Sequence, residues 1–189
     1  MSFRVLVIPE DPTYNGYILG PLVDRMLVEC GKPRARVEVL KNPKVGGYST
    51  AKDAIRDTIL DSYAMVDLML FLPDRDGLPR EGELSQLEAD AQTKGRTLLC
   101  CAAVEEVEAW LLACHADKLD KPWNDVRADS SVKETTFAGF LAAHGNTRAV
   151  GQGRLALMMQ GLANYKALLQ RCPELAELQQ RICDHLAHL

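Results

Sequence analysis

The stretch MVDLMLFL (Met65–Leu72), followed at once by PDRDG (Pro73–Gly77), decides the fold class of this chain. Nearly every position of the first segment is apolar, without the alternation of a half-buried strand. Such a run is typical of a strand that is covered on both faces, as in parallel sheets. The Pro-, Asp- and Gly-containing segment behind it ends the strand abruptly.

Three further segments are typical of strands, and amphipathic segments that predict helices separate them. The strand segments are FRVLVIP (Phe3–Pro9), RVEVL (Arg36–Leu40) and the residues Thr97–Ala102. Alternation of strands with helices is typical of a parallel sheet that has helices on both faces. The sequence therefore predicts an α/β fold with a mostly parallel four-stranded sheet flanked by helices.

The pattern changes after Asp117. A polar segment of residues 118–131 is followed by three helical stretches, Val132–His144, Arg154–Arg171 and Pro173–Leu189. Leucines and an isoleucine form an apolar stripe in the last stretch, at positions 175, 178, 182 and 186. We expect an α/β domain of residues 1–117 and a helical extension of residues 118–189 that packs on its core.

Composition limits the class of protein. The chain has 189 residues, of which 47% are hydrophobic and 25% charged, and its formal net charge is -4. This balance indicates a globular protein. No apolar run of about 18 residues predicts a membrane span, and the short apolar stretch at the N-terminus does not resemble a signal peptide. A nucleic-acid substrate would need a local basic patch or bridging metal ions.

The six cysteines show no pattern of a metal site or a disulfide framework. No Cys-x-x-Cys pair occurs, and no Cys or His lies at zinc-finger spacing from another. The pattern favours reduced cysteines that act as small core residues, and hence a cytoplasmic protein. The oligomeric state is left open, a homo-oligomer included.

Three carboxylates follow predicted strands, at the sheet edge where ligands of open α/β sheets bind. Glu10 follows the first strand, and Asp74 and Asp76 follow the third. Residues two apart in extended backbone point the same way, so the Asp pair would repel unless a cation lay between its members. Mg²⁺ prefers such oxygen ligands. Asp-x-Asp-Gly is also common in ordinary turns, which is the structural alternative.

Glu108 is the fourth candidate. On a helical wheel for a helix of residues 104–116, it falls within the apolar arc, whereas Glu106 falls on the opposite, solvated side. A carboxylate within a buried stripe is costly unless it is paired or binds a metal. Glu108 is therefore either a site residue or one member of a structural ion pair with a cation such as Arg75 or Arg96.

Three motifs in this order resemble a known family. VIPEDPTYNGYIL (residues 7–19), LMLFLPDRDG (residues 68–77) and VEAWLLA (residues 107–113) resemble small stand-alone TOPRIM-like proteins related to OLD-family nucleases and RloB-type proteins. The resemblance covers roughly residues 3–116. It implies a TOPRIM-like, Rossmann-like fold in which Glu10, Asp74 and Asp76 bind metal and Glu108 is an additional acidic site residue. The chain departs from the family in having Asp11 where a Gly often follows the Glu.

The resemblance implies a nuclease that depends on Mg²⁺ or Mn²⁺ and cleaves the phosphodiester bonds of DNA or RNA. The implied context is prokaryotic phage defence or DNA processing, beside a partner ATPase. Two alternatives to a nuclease remain open. One is a Mg²⁺-dependent phosphohydrolase or transferase for a small phosphorylated substrate, and the other is a non-catalytic module that binds a partner protein.

Overall fold

The sheet is four-stranded and entirely parallel, with the strand order β2-β1-β3-β4. These observations come from a computed structural model, which describes residues 2–189, so Met1 of the predicted first domain lies outside the described residues. The strands are β1 (Arg4–Pro9), β2 (Arg36–Val39), β3 (Leu68–Leu72) and β4 (Leu98–Cys100). The predicted α/β class and its flanked, parallel four-stranded sheet are confirmed.

The two central strands are buried on both faces, as their continuous apolar sequences predict. In β1, Val5 and Val7 face one core and Leu6 and Ile8 face another. The residues of β3 divide between the two cores in the same alternating way. The strands β1 and β3 therefore contribute apolar side chains to the hydrophobic cores on both faces of the sheet.

Helices from the first part of the chain cover opposite faces of the sheet. They are α1 (Gly16–Glu29), α2 (Tyr48–Ala54), α3 (Leu60–Ser62), α4 (Glu81–Thr93) and α5 (Glu108–Cys114). A π-helical segment, Ile55–Ile59, joins α2 and α3 into one helix of residues 48–62. This helix and α4 cover one face, whereas α1 and α5 cover the other.

The remaining helices pack on the face covered by α1 and α5. They are α6 (Trp123–Arg127), α7 (Ala138–His144, continuing from a π-helical segment, Lys133–Phe137), α8 (Arg154–Gly161), α9 (Tyr165–Arg171) and α10 (Pro173–Ala187). Short 3₁₀ segments lie between some of them, at residues 116–118, 150–153 and 162–164. The predicted apolar stripe of α10 is buried in the same core as α1.

A disulfide corrects the expectation that every cysteine is reduced. Cys30, at the end of α1, is bonded to Cys183 of α10, 153 residues further along the chain. The packing of α10 beside α1 brings the two residues together, which their spacing in the sequence could not indicate. Because disulfides are rare in reducing compartments, the cysteines no longer support a cytoplasmic location. Within residues 2–189, no helix has the length and apolar character needed to span a membrane.

Candidate functional site

The strand order creates a ligand-binding position between β1 and β3. β2 lies on one side of β1 and β3 lies on the other. The helix that follows β1, α1, covers one face of the sheet, whereas the helix that follows β3, α4, covers the opposite face. Such a switch point leaves a crevice at the carboxyl ends of the strands. Glu10 follows β1 and Asp74 follows β3, and Glu10 Oε2 accepts a hydrogen bond of 3.2 Å from the backbone N–H of Asp74. The structure therefore brings these two predicted site residues together.

Asp74 lies in a largely buried and strongly acidic environment. Its side chain is buried, and Oδ1 accepts a hydrogen bond of 2.7 Å from the backbone N–H of Val107, just before α5. Burial, together with the charges of Glu108, Glu10 and Asp76, raises the pKa of Asp74 to about 8, although the Val107 hydrogen bond opposes this. A carboxyl group with such a pKa is typical of functional sites.

The pKa of Glu10 is also raised above its ordinary value. Burial is the main cause, and the negative charge of Asp76 adds to it, while hydrogen bonds from the backbone N–H groups of Asp74 and Tyr48 oppose it. Tyr48 is the first residue of α2, so Glu10 lies at a helix N-terminus, where backbone N–H groups favour an anion. Glu10 is thus positioned by β1, by α2 and by the end of β3.

The backbone at Asp76 is not extended, which corrects the interpretation of the Asp-x-Asp motif as extended backbone. Asp76 has a φ of +53° and Gly77 a φ of +67°, so the chain turns sharply after Arg75. The side chain of Asp76 is about half exposed and faces the guanidinium of Arg80 at 3.7 Å. Its charge still acts on both Glu10 and Asp74, as their raised pKa values show.

Glu108 is completely buried, and neither carboxylate oxygen has a hydrogen-bond partner among the described residues. The nearest cation is Lys133, whose Nζ lies 3.7 Å from Oε1. The two suggested structural partners are elsewhere, because Arg75 pairs with Glu105 and Arg96 donates to backbone carbonyls. A buried carboxylate with only one long ion pair destabilises the folded state unless another group compensates its charge.

The predicted helix of residues 104–116 begins later than the sequence indicates. Residues 104–107 form a loop against the end of β3, in which Glu105 has a φ of +63°. The carbonyl of Glu105 accepts hydrogen bonds from the N–H groups of Arg75 and Asp76. The wheel therefore does not apply to Glu106, which is not on a solvated face. Its pKa is raised to about 7, by burial first and then by the charge of Glu108.

Cations that the sequence did not single out as site residues border the carboxylates. The guanidinium of Arg80 lies over the ring of Tyr48, 3.7 Å from its centroid. The Nε atoms of both Arg75 and Arg80 are buried without a hydrogen-bond partner among the described residues. Burial lowers the pKa of Lys133, but the surrounding carboxylates, Glu108 and Glu106 foremost, together outweigh burial and raise it. Arg75 and Arg80 lie close to Asp74 and Asp76 in the sequence, whereas the approach of Lys133 to Glu108 arises only from the tertiary fold.

The donor atoms fit a hard divalent cation in their chemistry. The buried oxygens of Glu106 and Glu108 that lack partners, and the mutual repulsion around Asp74, are features that a cation would relieve. In the arrangement seen within residues 2–189, however, no three His, Cys, Asp or Glu side chains form a group that could hold a metal ion. Glu10, Asp74 and Glu108 are the residues that would supply oxygens, with Asp76 beside them.

The raised pKa of Asp74 predicts that stability without metal decreases as the pH rises. Because the pKa is about 8 in the folded chain and 3.8 in its ordinary state, the folded protein retains a proton that the unfolded chain loses. The stabilising contribution is complete below about pH 4 and is lost as the pH rises through about 8. We expect the urea midpoint in EDTA to fall more steeply between about pH 5 and 8 in the wild type than in Asp74→Asn. If the urea midpoints of the wild type and Asp74→Asn changed equally with pH, the raised pKa of Asp74 would be contradicted.

Comparison of the chain with models of protein families, with curated proteins and with solved structures finds no match. The resemblance to TOPRIM-like proteins therefore stays a prediction.

Proposed function

We propose that this protein is a metal-dependent nuclease that hydrolyses phosphodiester bonds at the switch point between β1 and β3. The observation that supports this most directly is the hydrogen bond of 3.2 Å between Glu10 and the backbone of Asp74. It ties the Glu10 carboxylate to the backbone at the end of β3, where the charges of Asp76 and Glu108 also contribute to the raised pKa values of Glu10 and Asp74. Carboxylates at this place and in this number are suited to Mg²⁺ or Mn²⁺.

The divalent ion would supply Lewis-acid activation of a phosphate group and of a water molecule. Asp74, Glu10 and Glu108 are the proposed ligands, with Asp76 as an additional ligand beside Arg80. Glu10 is also placed to accept a proton, since its raised pKa moves it closer to neutral pH than an ordinary glutamate. Arg80 has a buried Nε without a partner and is proposed to donate to a phosphate oxygen.

A small phosphorylated substrate is the second candidate, and the charge of the chain favours it. The formal net charge of -4 lacks the excess of positive charge that is typical of proteins that bind long nucleic acids. The same carboxylates and Arg80 would serve a phosphohydrolase or transferase. A partner ATPase and a role in phage defence or DNA processing belong to the nuclease proposal through the family resemblance alone.

The proposal is tested with a substrate panel and a metal titration of the purified full chain. Plasmid, single-stranded DNA, tRNA and nucleotides are incubated with Mg²⁺, with Mn²⁺ and with EDTA. We expect cleavage only with metal, and a melting temperature that rises with Mn²⁺ concentration because the ion binds the folded state. Hydrolysis of nucleotides alone would favour the second candidate. The absence of both hydrolysis and a metal-dependent melting shift would leave a non-catalytic module.

A further inference from the structure

A cleft of about 460 Å³ lies at the open edge of the sheet, between α4, β4 and α10, and we call it the edge cleft. Its apolar lining comes from Leu84, Leu178, Ala102 and Val104, while Arg75 and Arg80 also line it. The volume falls within the roughly 300–1,000 Å³ of small-molecule sites. Arg75 lies between Asp74 and Asp76 in the chain, and the guanidinium of Arg80 lies 3.7 Å from the carboxylate of Asp76, so the edge cleft borders the candidate metal site.

Side chains already occupy part of the exposed edge of β4. Glu88 accepts a hydrogen bond of 2.6 Å from the N–H of Cys100, and Arg181 donates to the carbonyl of Cys100 at 3.1 Å. Glu88 and Arg181 also form an ion pair of 2.7 Å. An extended peptide could not add to this edge without displacing that pair, which disfavours a docked strand.

Ala102 is the position at which the edge remains open. The N–H groups of Cys101 and Ala103 donate to Phe71 and Pro73 of the neighbouring β3 segment. Because successive peptide groups of extended backbone point in opposite directions, those of Ala102 face away from β3. Neither its N–H nor its carbonyl has a protein hydrogen-bond partner within residues 2–189. Since Ala102 lines the edge cleft, one backbone donor and one acceptor lie side by side there.

The charges of the edge cleft differ along its lining. Arg80 has a buried Nε without a partner among the described residues and only a long ion pair with Asp76, so it suits one phosphate next to the carboxylates, with Arg75, which is paired with Glu105, beside it. Exposed Glu81 and Glu177 also line the cleft and form no salt bridge among the described residues. Their charges would repel a second phosphate, so the cleft suits one nucleotide better than a continuous strand.

We propose that the edge cleft binds the base and sugar of a single nucleotide, free or at the end of a chain. Its phosphate lies at Arg75 and Arg80, and its base packs on Val104, a partly exposed apolar residue of the lining. Each nucleobase presents a donor next to an acceptor on its pairing edge, which the N–H and carbonyl of Ala102 match. This inference rests on the proposed function, because it names the substrate portion that adjoins the metal site.

Calorimetric titration of the full chain with AMP, GMP, CMP and UMP in EDTA tests the proposal without catalysis. We expect at least one nucleotide to bind the wild type and Ser85→Trp to weaken its binding about tenfold or more, since Ser85 lines the edge cleft. Gln86→Trp is the matched control on the same helix, outside the cleft lining, and should bind as the wild type does. Arg80→Gln should weaken AMP more than adenosine, because only AMP has the phosphate.

The outcomes separate this proposal from the proposed function. Absence of binding by all four nucleotides, or equal binding by the wild type and Ser85→Trp, would overturn the edge-cleft proposal even if Mn²⁺ still raised the melting temperature. The opposite result is that Ser85→Trp weakens nucleotide binding while the protein neither binds Mn²⁺ nor hydrolyses any substrate. That result would support the edge-cleft proposal and refute the nuclease proposal. Unfolding of Ser85→Trp would show as a lost thermal transition, in which case Ser85→Gln, which adds bulk without positive charge, replaces it.

Discussion

Asp74→Asn is expected to lower metal-dependent hydrolysis by about 100-fold or more, because loss of a central ligand removes several kcal/mol of transition-state stabilisation. The fold should persist, since an amide oxygen can still accept the hydrogen bond that Asp74 Oδ1 receives from Val107. The amide also removes a negative charge from a crowded acidic cluster. Initial rates with Mn²⁺, measured beside thermal melting curves, separate these two effects.

Asp57→Asn provides the matched control for this substitution. Asp57 is exposed on the helix of residues 48–62 and forms no salt bridge among the described residues. The Asp57→Asn substitution removes one negative charge, as Asp74→Asn does, but outside the candidate site. The hydrolysis rate and the Mn²⁺-dependent rise in melting temperature should therefore remain those of the wild type. A fully active Asp74→Asn would refute the proposed role of Asp74, whatever its stability.

Glu108→Gln is expected to stabilise the metal-free protein by about 1–3 kcal/mol, because a buried charge is removed while its volume is kept. Within residues 2–189, Glu108 is fully buried without a hydrogen bond, and the one cation paired with it, Lys133, is 3.7 Å away and about 40% exposed. Lys133 can therefore return to water at little cost. The same substitution should reduce the rise in melting temperature produced by Mn²⁺. Urea unfolding in EDTA and melting with Mn²⁺ measure the two quantities.

Lys133→Met is the companion variant. It leaves Glu108 buried without a cation, so we expect it to destabilise the metal-free protein and to increase the gain in stability produced by Mn²⁺. If Glu108→Gln raises the free energy of unfolding of the metal-free protein and Lys133→Met lowers it, then Glu108 is a residue that is retained at a cost in stability. If Glu108→Gln destabilised the protein and left Mn²⁺ binding unchanged, the Glu108–Lys133 pair would be structural.

The parts of the fold that follow from local pattern could be predicted. Continuous apolar runs in β1 and β3 indicated strands buried on both faces, and their alternating residues do divide between two cores. Parallel strands bring their carboxyl ends to one edge, which is why Glu10 and Asp74 could be expected near each other. The burial of Glu108 also followed from its position among apolar neighbours.

The details that depend on tertiary contacts could not be predicted. The late start of α5 depends on hydrogen bonds between residues 104–107 and the end of β3, including those of Glu105 with Arg75 and Asp76. The turn at Asp76 depends on a left-handed backbone that Asp adopts less readily than Gly. The approach of Lys133 to Glu108 depends on how the helical extension packs on α5.

The bond between Cys30 and Cys183 makes most of the polypeptide a single closed ring. The ring contains β2, β3, β4 and every candidate ligand except Glu10, which precedes it. A protease that cuts one surface loop within the ring would leave both pieces joined. Separation of those fragments would require a reductant, so the oxidation state of one cysteine pair determines whether such damage releases part of the protein.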